Sequence, residues 1–401
     1  MSLFKQNIAI DLGTATVLVS VGEKGVVIKE PSIVAVKEGT SEVIAIGEEA
    51  RLMMGRTPFD ITTVRPVQNG VISSYTITRK MIAYYLNKAV TNPIARKFKP
   101  DVLVCIPSNT TNVEKRAVYQ AAISAGAGRV FLVEEPLAAA VGAGLDISRP
   151  TGNMIIDVGG GTTDIAVISY EGIVNSKSVR IAGDTFDDTI KSYLKKKHNL
   201  MIGDSTAEEI KIEVGCLYHG AKKSSIEIRG SDLITGLPSE RVVTSEEILE
   251  PLIDTAVPIL DGIHAVLEET PPELAADIYC KGIIMTGGGA QISGFDELIR
   301  KSTGVDVMLA ENPQYCVVQG SIQILNDMDN DKKRETTAVD CGVILSGQEM
   351  PTADIALFSR LVFLTFSKTT FSDDEKRRYN ELKLIEKRGL THLTGELLKH
   401  R

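Results

Sequence analysis

The sequence predicts an α/β protein of two similar halves closing on one ligand, and three observations lead there. An apolar run, Met154-Ile155-Ile156, ends in Asp157, passes through Gly159-Gly160-Gly161-Thr162-Thr163-Asp164 and enters a second β-rich run over 165–169. Near the N-terminus the same order recurs: Ile8-Ala9-Ile10, Asp11, Gly13-Thr14-Ala15-Thr16, then an apolar run over 17–21. Between the two hairpins, strand and helix patterns alternate β-α-β-α, which argues for a mostly parallel sheet covered by helices.

In chain order, a third strand over 25–28 follows the first hairpin and ends near Pro31. Residues 32–36 and 43–46 read as short strands about a turn-prone stretch, and 48–54 as a short helix stopped by Gly55. Residues 56–70, with Pro58, Pro66 and Gly70, read as loop. Met81, Ile82, Tyr85, Leu86 and Ala89 fall at helical spacing and predict a helix over 78–90. Strands over 102–106 and 130–133 alternate with helices over 112–125 and 137–143.

The second half repeats this plan. Residues 173–181 are strand-like, and Ala182-Gly183-Asp184 turns into a helix over 185–198. A helix over 206–214 precedes a small β excursion, 224–228 and 233–243. Ser245, with Glu246 and Glu247 behind it, caps a helix that continues over 249–268 with an interruption allowed at Pro258. A strand over 281–286 runs into Gly287-Gly288-Gly289; a helix over 294–302, a strand over 305–309 and a helix over 315–325 complete the half. The expected divisions are 1–31 with 70–143 and 144–180 with 246–330 for the main bodies, and 32–69 and 181–245 for smaller insertions.

Composition narrows the function. A length of 401 residues accommodates two to three domains. The net charge of −8, without a long basic block, excludes a general nucleic-acid surface, so no nucleic acid is expected as a partner. The five cysteines lack CxxC or Cys/His spacing and read as buried thiols in a reducing, cytoplasmic compartment. No signal peptide or membrane-spanning run is recognised, and His198, His219 and His264 show no ligand spacing.

The paired hairpins carry the chemistry. Glycine removes the Cβ that would hold a ligand away, so bare backbone N–H groups can meet phosphate oxygens. An aspartate at the mouth of each turn would be repelled by phosphate unless a cation lay between them. Two such turns, one per half, suggest one nucleotide gripped from both sides, with Asp11 and Asp157 sharing a hydrated Mg²⁺.

Several stretches together resemble the actin–Hsp70–sugar kinase ATPase superfamily and, within it, the bacterial actins of the MreB type. They are Asp11-Leu12-Gly13-Thr14-Ala15, Glu30-Pro31-Ser32, Gly55-Arg56-Thr57-Pro58, Arg65-Pro66, Gly70-Val71-Ile72, Val113-Glu114-Lys115-Arg116-Ala117, Glu134-Glu135-Pro136-Leu137-Ala138-Ala139-Ala140, 157–163 and Gly287-Gly288-Gly289. The resemblance covers residues 3–328. It implies an actin-like ATPase fold: two duplicated ribonuclease H-like α/β domains, each with a small subdomain insertion, and ATP in the central cleft.

Carried over by residue, the resemblance implies Gly13, Thr14, Ala15 and Thr16 on the β-phosphate side and Gly159, Gly160, Gly161 and Thr162 on the β/γ side. Asp11 and Asp157 order water about Mg²⁺. Glu135 activates the attacking water and Thr162 helps to position it; spacing alone favours reading Glu135 as a helix-start acid beside Pro136, and the motif context reverses that preference. Glu208, Glu209, Ile210 and Lys211 match a segment that binds ribose and base, against the plainer reading of a solvated helix face. Gly287, Gly288, Gly289 and Ala290 match the turn beneath adenine and the α-phosphate. Ala182-Gly183-Asp184-Thr185-Phe186-Asp187 departs from the family's Gly-Gly-Asp-x-Phe-Asp by its first residue, and Asp164 stands where relatives commonly carry Glu.

The implied activity is ATP hydrolysis coupled to self-assembly into filaments that help set cell shape; the alternative is a non-polymerising Hsp70-like or kinase-like ATPase. The resemblance also implies peripheral contact with the inner membrane face and with membrane-bound cell-shape proteins. Residues 2–5 are too short for an amphipathic helix; Ile94 and Phe98, beside Arg96, Lys97 and Lys99, are the candidates for lipid contact, or else a surface loop. Past residue 331 the resemblance ends. Residues 326–334 read as a polar linker and 331–401 as an extension of uncertain fold, similar to the closing part of a mobile-element helicase or primase-type ATPase but without a P-loop.

Overall fold

The structure is a computed structural model and describes residues 6–40, 42–68, 70–90 and 98–334. In the first half, β1 (Asn7–Leu12), β2 (Thr16–Val21) and β3 (Val26–Pro31) form an antiparallel meander. An insertion follows: β4 (Val34–Lys37), β5 (Val43–Ile46), α1 (Glu48–Met53) and β6 (Ile61–Val64), its strands ordered β5-β4-β6. A short hairpin, β7 (Val67–Gln68) and β8 (Val71–Ile72), leads back to α2 (Tyr75–Ala89), β9 (Asp101–Ile106), α3 (Asn112–Ala125), β10 (Arg129–Glu134) and α4 (Glu135–Gly142).

The second half begins with another meander, β11 (Asn153–Val158), β12 (Thr163–Ser169) and β13 (Gly172–Val179). Then come α5 (Gly183–His198), β14 (Leu200–Met201), α6 (Asp204–Val214), β15 (Ser225–Asp232), β16 (Pro238–Thr244), α7 (Ser245–Glu268) and α8 (Pro272–Lys281). The half closes with β17 (Ile283–Thr286), α9 (Phe295–Thr303), β18 (Val307–Leu309) and α10 (Cys316–Arg334).

The main sheets have one topology: β10-β9-β1-β2-β3 in the first half and β18-β17-β11-β12-β13 in the second. Each is mixed rather than mostly parallel. Three parallel strands joined through helical crossovers extend into an antiparallel meander, because the tight turns after Leu12 and Val158 leave only antiparallel pairing open to the strands they join.

Apolar residues from both halves fill the space between the sheets: Leu103, Cys105 and Phe131 from one side, Ile155, Ala166 and Ile168 from the other, around α4 and α10. The two helices cross backbone to backbone. A Cβ on Gly320 would lie 1.8 Å from the Ala138 carbonyl oxygen, and one on Gly142 1.8 Å from that of Cys316. This crossing supports β1 and holds the ends of β1 and β11 on a common floor.

Several expectations change. Residues 61–64, read as loop, are the edge strand β6, paired with β4. The whole α8 is absent from the sequence reading. Thr244, not Ser245, caps α7, accepting the Glu247 N–H, while the buried Ser245 hydroxyl donates to the Lys222 carbonyl. No interruption occurs at Pro258; it and Asp254 lie on the exposed face, where the carbonyl deprived of its donor can meet water. Residues 233–237 are the turn between β15 and β16 rather than strand. Residues 326–334 continue α10 rather than forming a linker. Cys105, Cys216 and Cys316 are buried thiols, but Cys280 is exposed. The extension beyond 334 and the lipid-contact candidates Ile94, Arg96 and Lys97 lie outside the described residues, and Phe98 is exposed. No described helix is long and apolar enough to cross a membrane.

Candidate functional site

The turns after β1 and β11 meet face to face. A Cβ on Gly160 would stand 2.6 Å from Ala15 Cβ, and one on Gly161 2.5 Å from Thr14 Oγ1. Only glycine permits this approach, and it leaves two sets of turn N–H groups on one small volume. Gly70 lies on the same floor: its N–H approaches Thr14 Oγ1 at 3.5 Å, and a Cβ there would touch Thr162 Cγ2 at 3.4 Å. Thr14 and Thr162 are buried; Gly13, Ala15, Thr16 and Gly159 are half-buried around them.

Each turn is preceded by its aspartate. Asp157 is buried, stands opposite Asp164 in the β11–β12 ladder and accepts a 2.7 Å hydrogen bond from Thr286 Oγ1. Burial pushes both Asp11 and Asp157 up to about 7; Asp164 and Asp11 push Asp157 in the same direction, against the Thr286 hydroxyl. Glu135, the first residue of α4, is held well above the usual carboxylate range by burial and by Asp164, Asp11 and Asp157. It is thus a helix-start acid and a member of this carboxylate cluster at once.

The cluster also contains Asp164, wholly buried, with Oδ1 accepting the Ser108 N–H at 3.1 Å. Among the described residues no three acidic, His or Cys side chains form a metal cage. Two hard oxygen donors heading opposed turns fit Mg²⁺, which keeps several waters and takes one or two carboxylates beside a nucleotide.

The remaining candidates separate. Gly287 (φ +87°) packs on the end of β11, where a Cβ would come within 2.2 Å of the Val158 carbonyl oxygen; Gly289 lies against Val158 as well. Gly288 is exposed and Ala290 buried. On α6, Glu208 and Glu209 are exposed, whereas the Ile210 side chain lies in the apolar core and cannot reach a cleft ligand. Lys211 ties α6 to the start of α5, donating to the Gly183 carbonyl (3.0 Å) and to Asp187 Oδ2 (2.8 Å). Burial raises Asp187 to about 6 despite Lys211. Sequence reasoning missed Thr286 and the site roles of Asp164 and Arg65; the last pairs with Asp184 at 2.5 Å. Only the resemblance pointed to Arg65 and Asp184 at all.

Comparison with known proteins joins this geometry to a family. The MreB/Mbl protein family matches residues 5–333. The chain belongs to the MreB/Mbl family. Residues 334–401 lie outside that match. The cell shape-determining protein Mbl of Bacillus cereus is 49% identical over 332 residues, covering 83% of this chain and 99% of the relative. The cell shape-determining protein MreB of Escherichia coli is 44% identical over 331 residues, covering 82% and 95%. The crystal structure of MreB 5 of Spiroplasma citri bound to AMPPNP superposes with a TM-score of 0.78 at 37% identity, covering 82% of this chain and 98% of that one. The actin-like fold of duplicated α/β halves is therefore that of an MreB/Mbl protein.

Proposed function

We propose that this chain binds ATP with Mg²⁺ between its two hairpin turns, hydrolyses it, and couples the cycle to filaments that help set cell shape. The face-to-face approach of the turns, each headed by a carboxylate, carries the reading. Nucleotide-bound MreB 5 and the two cell shape-determining relatives support it.

In this reading the N–H groups of Gly13, Thr14, Ala15 and Thr16 and of Gly159, Gly160, Gly161 and Thr162 hold the phosphate oxygens. Asp11 and Asp157 would hold hydrated Mg²⁺, which when bound neutralises phosphate charge. Glu135 orients water toward the γ-phosphate and accepts its proton, and Thr162 aligns that water; phosphoryl transfer needs chiefly this positioning. Glu208, Glu209, Lys211 and the backbone of Ile210 border the ribose and base, and Gly287 to Ala290 the adenine side. The exposed apolar residues Phe59 in the first insertion and Ile234 and Leu237 in the second suit contact with a further copy of the chain. Membrane-bound cell-shape proteins and the inner membrane face are the other partners proposed for this cytoplasmic protein.

Phosphate release and light scattering, measured with ATP, with ADP and without nucleotide, test this. ATP-dependent phosphate release with sedimentable polymer is expected. Phosphate release without polymer in any condition selects the non-polymerising ATPase instead, and no ATP binding removes both.

A further inference from the structure

The two halves are related strand for strand, so each residue of one site wall has a counterpart in the other. Asp157 stands beside Thr286 in the parallel β11–β17 ladder. In the corresponding β1–β9 ladder Ile10 stands beside Val104, so the position beside Asp11 belongs to Cys105. The counterparts do different things. Thr286, wholly buried, donates its hydroxyl to Asp157 Oδ1 at 2.7 Å. Cys105 turns away to α10, with its Sγ 2.8 Å from Ser321 Oγ. Ser321 spends its own proton on the Val317 carbonyl at 2.7 Å, so the thiol is the donor and has no proton left for Asp11. Among the described residues nothing donates a hydrogen bond to the Asp11 carboxylate, and burial is the main cause of its raised proton affinity.

We propose that Thr286 is a positioning residue that fixes Asp157 as the oriented carboxylate of the magnesium site, leaving Asp11 as the unconstrained one. The inference rests on the Mg²⁺–nucleotide reading above. A hydrogen bond to one carboxylate oxygen sets the carboxylate plane and aims the other oxygen, which removes an orientational cost when a hydrated cation arrives. Partners of this kind behind a metal-binding residue typically change metal affinity about 10- to 100-fold. Asp11 can instead reorient with no hydrogen bond to break.

The test is equilibrium binding of methylanthraniloyl-ATP to the full chain, with excess Mg²⁺ and with EDTA. Thr286→Val keeps the shape and removes the hydroxyl; Thr286→Ser keeps the hydroxyl; Thr286→Cys installs the side chain that the first half carries. The ratio of affinities with Mg²⁺ and with EDTA should fall about tenfold in Thr286→Val and Thr286→Cys, with the EDTA affinity unchanged and Thr286→Ser close to wild type. A thermal melt establishes which variants fold, and either Val or Cys suffices. A folded Val or Cys variant with the wild-type ratio overturns this inference alone. A wild-type chain that binds nucleotide equally with Mg²⁺ and with EDTA overturns the metal reading and this inference with it.

Discussion

Arg65 Nη1 lies 2.5 Å from Asp184 Oδ2, and this ion pair fastens the first half's insertion to the opening turn of α5 in the second. The Asp184 backbone N–H donates to the Gly160 carbonyl at 2.8 Å, so the fastening is one residue removed from a phosphate-type turn. The two partners of this contact belong to different halves, so it ties the halves together beside the proposed nucleotide site.

Arg65→Ala should therefore change opening more than folding. Both side chains are about one-third exposed (31% and 30%), so solvent screening limits their contribution to stability to about 1 kcal/mol or less. The melting temperature should move by no more than about 4 °C. Nucleotide dissociation, followed by stopped-flow displacement, should quicken several-fold. An unchanged off-rate would show that the pair does not hold the halves together.

Glu135→Ala should lower phosphate release about 100-fold or more while ATP affinity stays within about threefold, since loss of a water-orienting base acts on the chemical step. Parallel phosphate-release and equilibrium-binding assays separate the two effects. Unchanged turnover would reject the assigned role.

Asp11 gives a pH signature. Its folded-state pKa of about 7 lies above the ordinary aspartate value of 3.8, so between those values the folded chain binds more protons than the unfolded one. Stability without nucleotide or metal is therefore lost as pH rises from about 4 to about 7 and levels off above. Asp11→Asn removes that loss. It should be more stable than wild type at about pH 7.5, by an amount on the order of 1–4 kcal/mol, and converge with it near pH 4.5. Denaturant melts in EDTA at the two pH values check this, and a pH-independent difference would refute it.

Gly161→Ala should separate the two turns. The added methyl would meet Thr14 Oγ1 at 2.5 Å and Thr14 Cβ at 2.9 Å, atoms of a short branched side chain that cannot swing clear. A stability loss of about 1–3 kcal/mol in denaturant melts and at least tenfold weaker ATP binding are expected. Wild-type affinity would mean that the turns need not touch.

Where local pattern and backbone geometry agree, the sequence was legible. The span of α3 was read residue for residue, because its Thr111–Glu114 capping box and the left-handed Gly126 mark both ends. Elsewhere a breaker misled. Pro271 and Pro272 argue against a helix, yet they stand at the N-cap and first position of α8, where proline's missing N–H costs nothing. Pro58 and Pro66 likewise concealed the β-branched Ile61-Thr62-Thr63-Val64, which pairs as an edge strand.

By itself the sequence determined the parts of the site that depend on neighbouring residues: an aspartate ending a buried strand, glycines turning the chain, a second copy of that order, and membership of one family. Tertiary structure alone decided which distant side chains complete it. Thr286 reaches Asp157 across 129 residues, Arg65 reaches Asp184 across 119, and Cys105 turns to Ser321 across 216. Turn chemistry is settled within a few bonds, whereas these pairings follow from strand register and helix crossing, which exist only once the whole core has packed.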